Sequence, residues 1–276
     1  MDKAEKALVS AVLWNQPVRV QSLLATTPTL NVNYRPENGN TVLHTVAWYG
    51  RTEILKHLLA HPAIDVNPLT RAGRTPLHHC CTTGEVEAVK LLLKDPRVRL
   101  LQDPDNLTQT PLWLAAFAGR LEAIRWIIAL RPHEMELGLA SVSTLDDQEY
   151  MPRQIAWRSQ RHDVVELLDK FAANPTLTRH EIRLGLQIPE ALAAEIFAQV
   201  VFLCDNLLRV VPAEGKQSVQ ASEGAVRFFA MALQLPMELQ MVLCHRVSGS
   251  MRENITTHDA EIAFTHLALR GGIENV

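Results

Sequence analysis

An all-α solenoid of short helix-turn-helix units, followed by a helical C-terminal domain, is the fold that this 276-residue chain predicts. Three observations carry the expectation. One segment is written three times, as Thr41-Val-Leu-His-Thr-Val-Ala47, Thr75-Pro-Leu-His-His-Cys-Cys81 and Thr110-Pro-Leu-Trp-Leu-Ala-Ala116. Thr41 to Thr75 is 34 residues and Thr75 to Thr110 is 35, a period that belongs to stacked arrays of small helical units. A glycine follows nine residues after each threonine, at Gly50, Gly84 and Gly119. Beyond Asn174-Pro175 this frame stops, while helical patterning continues to the end.

Each element has a local cause. A threonine hydroxyl caps a helix N-terminus, and a proline directly after it, as at Pro76, suits the first helical position because its missing N–H would be unpaired there anyway. The glycines stand where that helix must end in a left-handed turn, which a side chain disfavours. Two further copies fit the frame. Ala7 to Leu24 has Asn15 at the glycine position, and Met151 to Leu168 keeps Pro152 and Ala156 but has Gln160 there. Five repeats result, at 7–33, 38–67, 72–102, 107–137 and 148–170, with degenerate ends that have one neighbour each. Between the fourth and fifth motifs the spacing grows to 41 residues, so Arg131 to Tyr150 is an enlarged connection, either a binding loop or a disordered insertion.

The Thr-Pro-Leu-His motif, the glycine and the Val/Leu-rich second helix resemble, in that order, the ankyrin repeat. The resemblance spans residues 7–170 and is most specific in the three middle copies. It implies that each unit is a hairpin finger followed by two antiparallel helices, with fingers and inner helices along one concave face. It also implies that His44 and His78 hydrogen-bond to Thr41 and Thr75. Trp113 replaces this histidine, which is expected to remove the fourth repeat's anchor. Trp157 replaces a small residue, which is expected to loosen stacking of the fifth.

Residues 171–276 read as helices 175–186, 189–210, 222–235, 237–247 and 257–269, with a loop at 212–221. Leu192, Ile196, Val200 and Leu203 form one buried stripe of the second. With no glycine-rich linker at 170–175, these helices are expected to dock on the last repeat.

Composition narrows the function. The chain is 47% apolar and 21% charged, an ordinary globular balance. Residues 1–170 carry 19 basic and 19 acidic side chains, and residues 171–276 carry 8 and 11. No basic stripe is available for a phosphate backbone, so a nucleic-acid partner is not expected. The opening Met1-Asp-Lys-Ala-Glu-Lys6 lacks the apolar region of a secretion signal. Ala191–Cys204, the longest apolar stretch, is interrupted by Glu195 and Gln199 and is too short to span a bilayer. The expectation is a cytoplasmic protein, with the nucleus as the alternative, whose four cysteines are free thiols and whose sequons at Asn106 and Asn254 are chance matches.

Chemistry-bearing motifs are few. His78-His-Cys-Cys81 has zinc-ligating residue types, but His78 belongs to the repeat motif and Cys80 and Cys81 occupy small apolar positions. Cys204 and Cys244, set among apolar residues, are expected to be inert. Asp103, Asp105, Asp146, Asp147 and Glu149 lack the calcium-loop pattern. There is no phosphate-binding glycine loop, no nucleophile elbow and no His-Glu-x-x-His. No enzyme activity, cofactor or metal is expected. Asn67, in Asp65-Val-Asn67 with Leu59 eight residues before it, reads as a turn residue; the resemblance adds hydroxylation by an asparaginyl hydroxylase as a second role.

The repeat frame names the partner-facing positions: Trp14, Glu37, Asn38, Asn40, Trp48, Tyr49, Arg71, Arg74, Thr82, Thr83, Gln109 and Phe117. Leu13, Ala72, Asn106, Leu107, Ala118, Asp147, Gln148, Tyr150, Arg158 and Ser159 share the frame. Only 5% of the chain is aromatic, yet Trp14, Trp48, Tyr49, Phe117 and Tyr150 all fall here, and aromatic residues and arginine dominate binding hot spots. The other reading of these rings is packing against the adjacent finger or helix. Trp126 reads as core. The expected function is a non-catalytic, monomeric interaction module or scaffold that binds a partner protein through the groove. The rival is a ubiquitin-ligase substrate adaptor, because Leu235-Pro-Met-Glu-Leu239 resembles the opening of an F-box.

Overall fold

A computed structural model describes residues 3–27, 29–36, 39–100, 109–131, 143–145, 148–204, 232, 235–248 and 255–271. It divides into two compact units, Met1–Ala173 and Asn174–Val276. Glu37, Asn38, Asp103, Asp105, Asn106, Leu107, Asp146, Asp147, Asn254 and most of the expected helix 222–235 lie outside the described residues.

The first unit is a series of helix pairs: α1 Lys3–Leu13 and α2 Pro17–Thr26, α3 Val42–Trp48 and α4 Thr52–Leu59, α5 Pro76–Thr83 and α6 Val86–Lys94, α7 Pro111–Ala118 and α8 Leu121–Leu130. A β-hairpin, β1 Ser143–Leu145 and β2 Gln148–Tyr150, pairs Thr144 with Glu149. It occupies the end of the enlarged connection and leads into α9 Pro152–Arg158 and α10 His162–Ala173. The inner helices α1, α3, α5, α7 and α9 pack in series, as do the outer helices α2, α4, α6 and α8. Leu43, Leu55, Leu58, Leu77, Leu92, Leu112 and Ile124 fill the interior with essentially no exposure. Each such side chain contributes about 1.5–3 kcal/mol by leaving water.

Helix ends follow the local code. Thr75 Oγ1 and Thr110 Oγ1 accept from the backbone N–H groups of His78 and Trp113, and both helices end in left-handed glycines, Gly84 and Gly119. Asn15 and Gln160 adopt the same backbone, with φ of 51° and 58°. At Gly84 a second constraint operates, because an added Cβ would lie 2.7 Å from Arg120 Cδ of the next repeat. Arg120 Nε in turn donates to Thr82 O at 3.1 Å, so the bare glycine lets one repeat's arginine close over the previous helix end.

Buried polar groups link the repeats. His44 Nδ1 accepts from Thr41 N at 3.1 Å, and its Nε2 lies 3.0 Å from Arg74 O. The carbonyl requires a donor, so the ring carries its proton on Nε2 and is neutral. His78 repeats this arrangement, with Nδ1 accepting from Thr75 N at 3.0 Å and its other side bonded to the Gln109 backbone. Burial is the main cause that lowers His44 and pushes His78 down to about 3.

Trp113 corrects the expectation of a lost anchor. Its Nε1 donates to Tyr150 O at 2.9 Å, and Tyr150 precedes Met151 as Arg74 precedes Thr75 and Gln109 precedes Thr110. The indole therefore keeps the bond between repeats and gives up only the bond within its own. In the fifth repeat Gln154 Oε1 accepts from Met151 N at 2.8 Å, taking over that local part. Trp157 supplies a second correction. It is 61% exposed, and α9 packs on α7 as the other inner helices pack on one another. Its bulk points away from that contact.

On the connecting side two asparagines make equivalent bridges. Asn33 Nδ2 donates to Ala63 O at 2.7 Å while its Oδ1 accepts from Asp65 N at 2.9 Å. Asn67 does the same with Arg97 O at 2.7 Å and Arg99 N at 2.9 Å. Asn67 is thus a clamp between consecutive loops as well as a turn residue.

The second unit contains α11 Pro175–Gly185, α12 Pro189–Cys204, α13 Met237–Val247 and α14 Thr257–Gly271. Asn174 Oδ1 caps α11 by accepting from Leu177 N at 3.1 Å. Helix α12 packs on both α13 and α14, and α11 packs on α12 and α14. The expected stripe on α12 needs correction, because Leu192 and Ile196 are only half-buried. Val200 of that stripe is buried, and Ala191, Ala193, Ala194, Phe197 and Ala198 are buried with it. Small side chains let neighbouring helices approach on several faces, so the contact is broader than one leucine ridge.

Candidate functional site

The eighth and ninth residues of each motif close its inner helix, and there the side chains emerge. Trp14 is 76% exposed, Trp48 42%, Tyr49 57% and Phe117 41%. Leu13 is exposed as well, while Thr82, Thr83, Ala118 and Ser159 are half-buried. Large aromatic side chains at the surface run against the tendency of apolar groups to leave water, so this series marks one edge of the unit.

A groove of about 390 Å³ opens at the first three inner helices, lined by Leu13, Asn40, His44, Thr45, Trp48, Tyr49 and His79. It brings together four of the residues named from the repeat frame, Leu13, Asn40, Trp48 and Tyr49. Phe117 lies in a later repeat, stacked on Trp113 with ring centroids 5.6 Å apart. Trp14, Arg71, Arg74 and Gln109 are not among the residues lining the groove. The hydroxyls of Thr82 and Thr83 turn back to His78 O and His79 O, at 2.8 and 3.2 Å.

The cations are held by the scaffold. Arg74 Nη2 donates to Gln109 Oε1 of the next finger at 2.9 Å. The stem of Arg71 covers Gly39, where an added Cβ would meet its Cγ at 3.0 Å. Arg51 spans from the Tyr49 ring, 4.9 Å from its centroid, to Val12 O. At the last inner helix, Arg158 caps the Tyr150 ring at 4.9 Å and donates to its hydroxyl. A second depression of about 450 Å³ is lined there by Glu149, Tyr150, Arg153, Gln154, Trp157 and Arg158. Tyr150 itself is half-buried.

His79 is a groove residue that the repeat frame did not single out. Its ring packs edge-on against His44 and Trp48, with centroids 5.3 and 5.4 Å apart. Burial is the main cause that pushes it down to about 4, with the Arg74 charge acting in the same direction, so it is neutral at pH 7. Both ring nitrogens are buried without a hydrogen-bond partner among the described residues, an arrangement that costs on the order of 1–3 kcal/mol per group. The sequence signal was slight, a second histidine beside the motif histidine. The cysteines that follow are buried, with Cys80 Sγ donating to Leu77 O at 3.3 Å. Burial raises the Cys80 thiol well above its ordinary range and Cys244 to about 12.

No helix among the described residues is long and apolar enough to cross a membrane. No curated protein matches the chain. Residues 8–100 match the family model for ankyrin repeats, in three copies. Beyond the matched segment the threonine cap recurs at α7, and a left-handed residue and a stacked inner helix recur at both α7 and α9. Residues 8–100 are therefore ankyrin repeats, a kind of module that serves protein–protein interaction.

Proposed function

We propose that this protein is a non-catalytic interaction module or scaffold that holds a protein partner along the concave face of its repeats. The carrying observation is the set of exposed rings, Trp14, Trp48, Tyr49 and Phe117, at the eighth and ninth motif positions of the first, second and fourth inner helices. Trp48 and Tyr49 line a groove that a short apolar segment can enter. Arginines border the face, with Arg51 over Tyr49, Arg120 over Gly84 and Arg74 bridging two fingers. The fitting partner is a segment with apolar anchors and a flanking acidic residue. Rigid aromatic side chains lose little entropy when they bind, which is why a few of them carry most of an interface's energy. Beneath them, the unpaired nitrogens of His79 offer one donor and one acceptor to a partner that displaces the Trp48 ring.

The test compares the proteins that co-purify with the full chain and with a Trp48→Ala/Phe117→Ala variant shown to keep its circular dichroism and melting temperature. Loss of a specific partner, with an affinity change of about 30-fold or more in the purified pair, is expected for residues of hot-spot strength. Equal retention of every partner overturns the groove reading and moves attention to the exposed Met237, Leu239 and Val247 of α13. Recovery of ligase adaptor subunits by both proteins would identify that helix as an F-box.

A further inference from the structure

In the second unit a carboxylate sits deep in the helix packing. Glu195 of α12 is 9% exposed and is flanked along its helix by Ala191, Ala193, Ala194 and Ala198, all buried. Two histidines from other helices converge on it. His180 of α11 places Nε2 3.0 Å from Glu195 Oε2, and His266 of α14 places Nδ1 3.2 Å from both carboxylate oxygens. The rings meet edge-on with centroids 5.2 Å apart, and they are 4% and 6% exposed. One ligand atom from each of the three residues lies within 4.8 Å of the other two.

A buried carboxylate needs a compensating charge, because desolvation penalises the ionised form heavily. The two imidazoles supply hydrogen-bond donors to it. The neighbouring Arg183 pairs with Asp259, at 3.3 Å. A divalent cation would supply the charge. Nitrogen and oxygen ligands about 2.0–2.1 Å from a tetrahedral zinc ion stand about 3.3 Å from one another, close to the separations of Glu195 from each histidine. Two imidazoles and one carboxylate suit zinc, whereas calcium and magnesium favour sets made wholly of oxygen.

We propose that His180, Glu195 and His266 form a zinc site that ties α11, α12 and α14 together. The three protein ligands leave one coordination position for water or another small donor. Because the ligands come from three separate helices, metal binding is coupled to the folding of this unit and raises its unfolding midpoint.

The full chain, purified without a histidine tag and stripped with chelator, is titrated with Zn²⁺ by calorimetry and with Co²⁺ by visible absorption. One equivalent is expected to bind with the intense ligand-field bands of a four- or five-coordinate site, without a thiolate-to-cobalt charge-transfer band. Zinc K-edge absorption should show a first shell of nitrogen and oxygen only. Glu195→Gln, which keeps the side chain's size, is expected to weaken binding at least 10-fold, and His266→Gln should do the same. Failure of the wild-type chain to bind either metal overturns the proposal whether or not the variants fold. So does a sulfur shell, or binding of equal strength in a folded Glu195→Gln protein.

Discussion

The two units bury polar side chains in opposite ways. In the repeats, His44 and His78 reach three residues back to their own threonine and then to the backbone of the next repeat, 30 or so residues on. In the C-terminal unit, Glu195 meets His180 across 15 residues and His266 across 71, and both of these contacts are side chain to side chain. The first pattern is modular, since each bond recurs in the next copy and Trp113 or Gln154 can stand in for half of it. The second has no duplicate. A modular network tolerates replacement, whereas a single buried cluster fails as a whole.

The largest expected effect follows from that asymmetry. Glu195→Ala leaves two buried imidazoles without their shared acceptor and should destabilise the C-terminal unit by about 3–5 kcal/mol. Hydrogen exchange should show protection lost in α11, α12 and α14 while α3 to α8 stay protected. Equal loss in both units would dissolve the contrast. His78→Ala should cost less, about 2–4 kcal/mol, from the lost bonds to Thr75 and Gln109 together with the cavity left behind. His78→Gln should recover part of this, since Gln154 makes the local bond in the fifth repeat; the melting temperatures of the two variants check the order.

Acid sharpens the comparison from another side. His78 and His79 titrate in the folded protein at about 3 and about 4, and His44 is lowered too. The unfolded chain therefore binds more protons than the folded one between the ordinary histidine range near 6.5 and about 3. Stability contributed by these groups is complete above about pH 6.5 and is lost as pH falls through that window, at up to about 1.4 kcal/mol per pH unit for each. Denaturant melts at pH 7 and pH 5 should show the drop, and His78→Gln should reduce it. The smallest effect expected is that of Gly84→Ala. Its left-handed backbone and the approach of Arg120 Cδ to 2.7 Å from the new Cβ should cost about 1–2 kcal/mol, measurable as a shift in urea midpoint.

Much of the repeat unit was legible because its signals are local. Threonine caps, prolines at the first helical position and left-handed residues act within a single turn of chain, and repetition reveals them. Exposure of Trp14, Trp48, Tyr49 and Phe117 followed from the same frame. The part played by Trp113 did not, because an indole N–H replaces an imidazole N–H only when the next repeat's carbonyl arrives 2.9 Å away. Nor did the direction of Trp157, which depends on which neighbour is packed against α9.

The sequence by itself determined where the repeat helices start and stop, which faces they bury and that Trp14, Trp48, Tyr49 and Phe117 stay exposed. Those choices rest on backbone conformation, capping and the helical period, each set within a few residues. Tertiary structure alone decided the shielding of His79 beneath Trp48, the bridge from Asn67 to the following loop and the meeting of His180, Glu195 and His266. Hydrogen bonding and electrostatics act over a few ångströms in space, and the packing of helices distant along the chain fixes which side chains share those few ångströms.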